Sequence, residues 1–224
     1  MYRVALRDLR VLEPDRFQCF KNELRSGRGS PLPAKGDGLR DDFTRKCLCL
    51  AAEANIDVRD RIIVSITAGN IDAISAFEQS CIDPQGGGPS AQHFAVATTS
   101  TAATTLNILK GAQGGNITID GLEKGLLFSL VAAAQFASAS NACAHVFWEL
   151  RDELCGGVAY LRLEPSEIMD LEFQFDGASS PPQSFPVEAE LQSLRSLASG
   201  EVSQMVYRIN GAELKTRTIR EIPR

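Results

Sequence analysis

The chain is poor in the groups that carry most enzyme chemistry. Its 224 residues include two histidines, His93 and His145, and one tryptophan. Neither histidine has a cysteine or serine placed near it in a motif that would mark a nucleophile and its base. His145 lies in an apolar strand pattern and reads as a satisfied core histidine, whereas His93 sits where a loop meets a helix. Positive charge is also scarce, with 23 Lys and Arg against 28 Asp and Glu and a net charge of −5. Without a basic patch, neither nucleic acid nor an anionic membrane is an expected partner. No apolar run reaches the ~20 residues that a membrane-spanning helix needs. The longest mostly apolar run, residues 125–137, reads as a buried core helix.

The glycine clusters 86–88 and 111–115 lack the Lys-Ser/Thr of a phosphate loop, and no GxGxxG occurs, so no nucleotide cofactor is implied. Cys47 and Cys49 fall on an expected helix, where side chains two apart diverge by about 200° and cannot share a metal. No metal site is implied. The six cysteines are scattered, and charges interrupt the apolar positions of MYRVALRDLRVL, unlike a secretory signal. The expectation is a cytoplasmic protein with reduced thiols. No internal repeat is visible.

What is present is an alternation of strands and helices, which predicts a layered α/β fold. Residues 3–12 alternate charged and apolar side chains with a slip near Asp8, predicting a bulged strand. Residues 26–41, rich in Gly and Pro, read as a long loop. A helix is expected over 44–55 with Asp41 or Asp42 as its N-cap. The β-branched run 61–66 predicts a buried strand. Gly69 and Asn70 turn the chain into a helix over 71–81, whose apolar residues Ile71, Ile74, Phe77 and Cys81 have near-helical spacing. Strands are expected over 142–150, 157–163 and 171–175, the last two antiparallel to each other. Residues 178–186 form a linker, 187–197 a short helix, and 205–209 a further strand before a polar, basic end that either frays or packs as a last strand.

The rest of the chain is organised around residues 94–133. An Ala- and Thr-rich helix suited to close backbone contact leads to a turn at 111–115. A short β-prone run and an apolar helix starting near Glu123 follow. In this order the segment resembles the N-terminal half of the β-ketoacyl synthases of the thiolase-like fold. The sequence from Pro89 through Gln92, His93 and Phe94 resembles that family's entry. Residues 98–109 resemble its small-residue helix, 111–115 its loop and 116–119 its strand. Where the family carries its catalytic cysteine, this chain carries Glu123, and it has no cysteine between Cys81 and Cys143. A carboxylate cannot form the thioester on which condensation depends.

A closer likeness is to the short, non-catalytic chain-length-factor type found with polyene and aryl polyene synthases. It covers roughly residues 3–153 and includes Pro31-Leu32-Pro33, Leu39-Arg40, the 45–54 helix, the 62–69 strand and turn, and the acidic stretch 145–152. Ser100 and Thr104 stand where the family has Asn and Gly. The resemblance implies a layered αβα synthase-like domain over 1–176, with 177–224 a linker and C-terminal extension packed on the same domain. It implies a catalytically inactive subunit that heterodimerises with an active β-ketoacyl synthase and shapes its acyl tunnel. The pathway would be polyene, polyketide or fatty-acid-type biosynthesis, with the substrate delivered to the partner by an acyl carrier protein. Gln92, His93, Phe94, Ala97, Thr98 and Ser100 would form the tunnel wall and interface, with no catalytic residue and no cofactor. Two other readings stand beside it: a small acyl-thioester-processing enzyme using Glu123 and His93, or a homodimeric acyl-binding scaffold.

Overall fold

The computed structural model describes residues 2–26, 40–69, 71–82, 88, 94, 97–120, 125–150, 157–175, 191–192, 194–196, 204–209 and 212–218, with the backbone alone in 168–175 and 204–218. The elements run β1 (Tyr2–Val11), α1 (Pro14–Ser26), α2 (Asp42–Glu53), β2 (Arg61–Ile66), α3 (Ile71–Ile82), α4 (Thr101–Lys110), β3 (Asn116–Asp120), α5 (Gly125–Ser140), β4 (Ala144–Glu149), β5 (Val158–Phe175), β6 (Gln204–Ile209) and β7 (Ala212–Thr218). The strands form one seven-stranded sheet in the order β3-β2-β4-β5-β7-β6, with β1 also on β5. The β3-β2-β4 block is parallel, and every pairing that involves β5, β6 or β7 is antiparallel.

Strand alternation sends successive side chains to opposite faces and so builds two cores. On one face Ile62, Val64, Ile66, Phe147, Val158 and Tyr160 pack against α1, α2 and α4. On the other, Ile63, Val146, Trp148, Ala159, Leu161 and Leu163 meet α5 through Leu127, Leu130, Ala133, Ala134 and Ala137. The result is a helix–sheet–helix sandwich. Each fully buried leucine contributes about 1.5–3 kcal/mol of transfer free energy. Leu191 and Leu194 join the α5 core.

Local chemistry sets the element ends. The Asp41 carboxylate accepts from the Thr44 amide at 2.8 Å and from the Thr44 hydroxyl at 2.7 Å, capping α2. Such a cap contributes about 1 kcal/mol. Gly111 ends α4 in the left-handed conformation, the usual glycine stop. Asp8 has φ 61 at the bulge in β1, where the pairing register with β5 shifts. Gly114 lies against the 59–60 backbone: a Cβ there would come within 2.5 Å of the Arg59 and Asp60 carbonyl oxygens.

Two expectations need correction. The small-residue helix begins at Thr101, not at residue 98. Residues 157–163 and 171–175 are not two antiparallel strands but parts of one 18-residue strand, β5. Its partners change along its length. β4 pairs with residues 158–163, β7 with 169–175, and β1 spans both. The helix expected over 71–81 is present as α3, and none of its residues is buried. The structure also has α1, which has no counterpart among the expected elements, and the C-terminal end packs as a last strand, β7. Of the expected loop 26–41, residues 27–39 lie outside the described residues, as does the linker 178–186; Ser26 ends α1 and Asp41 caps α2.

Candidate functional site

The parallel strands β2, β3 and β4 end together at Ile66, Asp120 and Glu149. Such carboxyl ends are where open α/β sheets present their sites. The apolar helix α5 starts from this end. Its first residue, Gly125, lies so close to the Ser65 hydroxyl that no Cβ fits between them. The start of α5 is therefore pinned beside β2. Glu123, two residues earlier, lies outside the described residues, as do Gln92 and His93.

Of the expected wall residues, Phe94, Ala97, Thr98 and Ser100 are described. Phe94 is 58% exposed. Its ring lies 5.5 Å from that of Phe77 on α3, tilted by 58°. Ala97 and Thr98 are half-buried and Ser100 is exposed. The Thr98 carbonyl accepts from both the amide and the hydroxyl of Thr101, at 3.1 and 2.8 Å. The Thr98 and Thr101 hydroxyls are also 2.9 Å apart. Thr98 thus anchors the first turn of α4, while Ser100 makes no side-chain cap.

Phe77 brings α3 into the picture. This helix has Ile71 (50% exposed) at one end and Ile82 (72%) at the other, with Ile74 and Phe77 half-buried between them. The apolar spacing was visible in the sequence. Which way it faced was not, because an amphipathic stripe looks the same whether its cover is the same chain or another. The corner that leads into α3 is held by Glu149, whose Oε2 accepts from the amides of Thr67, Ala68 and Gly69 at 2.9, 2.8 and 2.9 Å. No pattern in the sequence links Glu149 to that corner.

The second histidine lies at the opposite end of the sheet, where β2 and β4 begin. His145 is completely buried. Its Nε2 lies 2.9 Å from Asp60 Oδ2 and its Nδ1 2.9 Å from the Tyr160 hydroxyl. Burial pushes its pKa down, outweighing the Asp60 hydrogen bond that raises it. The ring is therefore neutral, donating from Nε2 to the carboxylate and accepting the Tyr160 proton at Nδ1. Burial likewise pushes the Tyr160 phenol up. Asp60 also accepts from the Cys143 amide at 2.9 Å and the Asp57 amide at 2.8 Å. This is a satisfied core histidine, with no surface through which a substrate could reach it. Cys47 and Cys49 are buried, and their thiols are pushed up mainly by desolvation, Cys49 to about 11. They are packing residues. Among the described residues no three His, Cys, Asp or Glu side chains converge as a metal site requires. No described helix is long and apolar enough to cross a membrane.

No protein-family model and no curated protein matches the sequence. Solved structures do. A chain of the complex of the ketosynthase ApeO with its chain length factor ApeC from Xenorhabdus doucetiae superposes with a TM-score of 0.64 at 15% identity, over 97% of this chain and 100% of that one. The ishigamide ketosynthase/chain length factor gives 0.58 at 14% identity, over 78% and 68%. A chain of the AntDE:AntF complex, a type II polyketide acyl carrier protein with its hexaketide-bound ketosynthase, gives 0.61 at 12% identity, over 98% and 100%. The layered αβα architecture of this chain is the thiolase-like fold of the ketosynthases and chain length factors.

Proposed function

We propose that the chain is a non-catalytic, chain-length-factor-like subunit that pairs with an active β-ketoacyl synthase and helps shape its acyl tunnel. The observation that carries this reading is α3. An amphipathic helix with no buried residue, together with the exposed Phe94 ring, forms a surface that a partner would cover. Strand β3 supports it, since among the described residues it has β2 alone as a ladder neighbour and so offers an edge to a second sheet. The absence of cysteine between Cys81 and Cys143 supports a subunit that does not condense. Phe94, Ala97, Thr98 and Ser100, with Gln92 and His93, are the proposed wall and interface. The substrate would reach the partner on an acyl carrier protein, in polyene, polyketide or fatty-acid-type synthesis in the cytoplasm.

The test is co-expression with a β-ketoacyl synthase encoded beside this chain. Native mass should show a one-to-one heterodimer. The purified chain alone should not condense acyl and malonyl thioesters, and Ala97→Phe in the pair should move products toward shorter chains, because a packed wall resists added bulk. Unaided condensation, or a chain that stays homodimeric in the presence of the synthase, would overturn the proposal.

A further inference from the structure

We infer that Glu149 is a positioning residue for the partner-binding face, a role that rests on the reading just given. Three successive amides, those of Thr67, Ala68 and Gly69, converge on its Oε2 at 2.8–2.9 Å. Consecutive N–H groups curled around one oxygen form an anion-holding nest, and hydrogen bonds to a carboxylate are the strong kind. The nest depends on Gly69, which has φ 52; a Cβ there would meet Ile66 Cβ at 3.2 Å. Ser65 pairs with Trp148, so Glu149 leaves β4 one position beyond the last β2–β4 pair and reaches over the corner.

That corner leads straight into α3, where the Ile71 amide donates to the Ala68 carbonyl at 2.9 Å. Since α3 buries none of its residues, core packing constrains it little, and the corner it springs from sets its direction. Glu149 therefore controls where Ile71, Ile74 and Phe77 stand, and through the Phe77 ring contact where Phe94 stands. Its contacts at this corner are to the backbone amides of 67–69.

All three bonds end on one oxygen, so glutamine can place its carbonyl there with its NH₂ outward. Aspartate keeps the charge but is one methylene too short, and alanine offers nothing. Each variant is co-expressed with the adjacent synthase. Affinity by titration, product length from the reconstituted pair, and amide exchange at 67–69 are compared with wild type. Glu149→Gln keeps an acceptor at the nest but loses the charge, so it should fall between wild type and Glu149→Ala in all three. Glu149→Asp and Glu149→Ala should bind about tenfold more weakly or worse, as expected when the corner amides lose their acceptor, and should give a broader product-length distribution and faster exchange at the corner. Should Glu149→Ala not fold, Glu149→Asp against Glu149→Gln decides the matter alone. A Gln variant as impaired as Ala, or an Asp variant that behaves like wild type, overturns the inference. If the wild-type chain binds no synthase, the reading above fails and takes this role with it; if wild type binds and Glu149→Asp binds equally, only the role of Glu149 fails.

Discussion

Replacing Asp60 with alanine probes the buried network at the start of β2 and β4. Asp60 is 4% exposed, and its carboxylate satisfies three donors: the Cys143 amide at 2.9 Å, the Asp57 amide at 2.8 Å and His145 Nε2 at 2.9 Å. Alanine strands all three. Each buried donor left unpaired costs about 1–3 kcal/mol. The His145 ring can recover part of this by shifting its proton to Nδ1 and donating to Tyr160, which leaves mainly the two amides. The expected loss is about 3–5 kcal/mol, a large share of the ~5–15 kcal/mol that holds a domain together. For a chain of this size that lowers Tm by about 10 °C. Asp60→Asn is the discriminating control. Its carbonyl can serve the Cys143 amide and its NH₂ can donate to a re-tautomerised His145, but the Asp57 amide then faces a donor. The asparagine variant should therefore lose about 1–3 kcal/mol, roughly one unpaired donor. Thermal and urea unfolding of both variants, followed by circular dichroism, measures the two losses. If Asp60→Ala lies within about 1 kcal/mol of wild type, the carboxylate does not hold this corner and the reasoning is refuted.

Two further expectations concern the fold. The pKa of His145 is lowered in the folded state, so the unfolded chain binds a proton more readily. The stability this residue contributes is present above its unfolded value of about 6.5 and is lost as pH falls from there toward the folded pKa. The Tm of wild type should drop between pH 7 and pH 5, and that slope should be shallower in His145→Gln. A Cβ at Gly114 would press on two carbonyl oxygens at 2.5 Å, and both belong to backbone that cannot swing aside. Gly114→Ala should therefore cost about 1–3 kcal/mol by chemical denaturation.

The two cysteines of α2, its aspartate cap at 41 or 42, strand 61–66 and the core role of His145 were legible because each depends on neighbours close in sequence or on a periodic burial pattern. A β-branched run reads as a buried strand wherever it goes, and a carboxylate three residues before an amide caps a helix without tertiary help. The partners of His145 were not legible. Asp60 is 85 positions away along the chain and meets the ring only because β2 and β4 are neighbours.

Order and residue type along the chain were enough to point to the layered fold and to show that the position expected for a nucleophile holds no cysteine. The continuity of β5, the outward face of α3 and the hold of Glu149 on the 67–69 corner came only with the assembled sheet. Each depends on which strand lies beside which, and strand pairing is a choice among long-range partners that local propensity does not encode. An apolar stripe specifies that a helix will be covered; only the fold leaves the stripe of α3 open to be covered by something else.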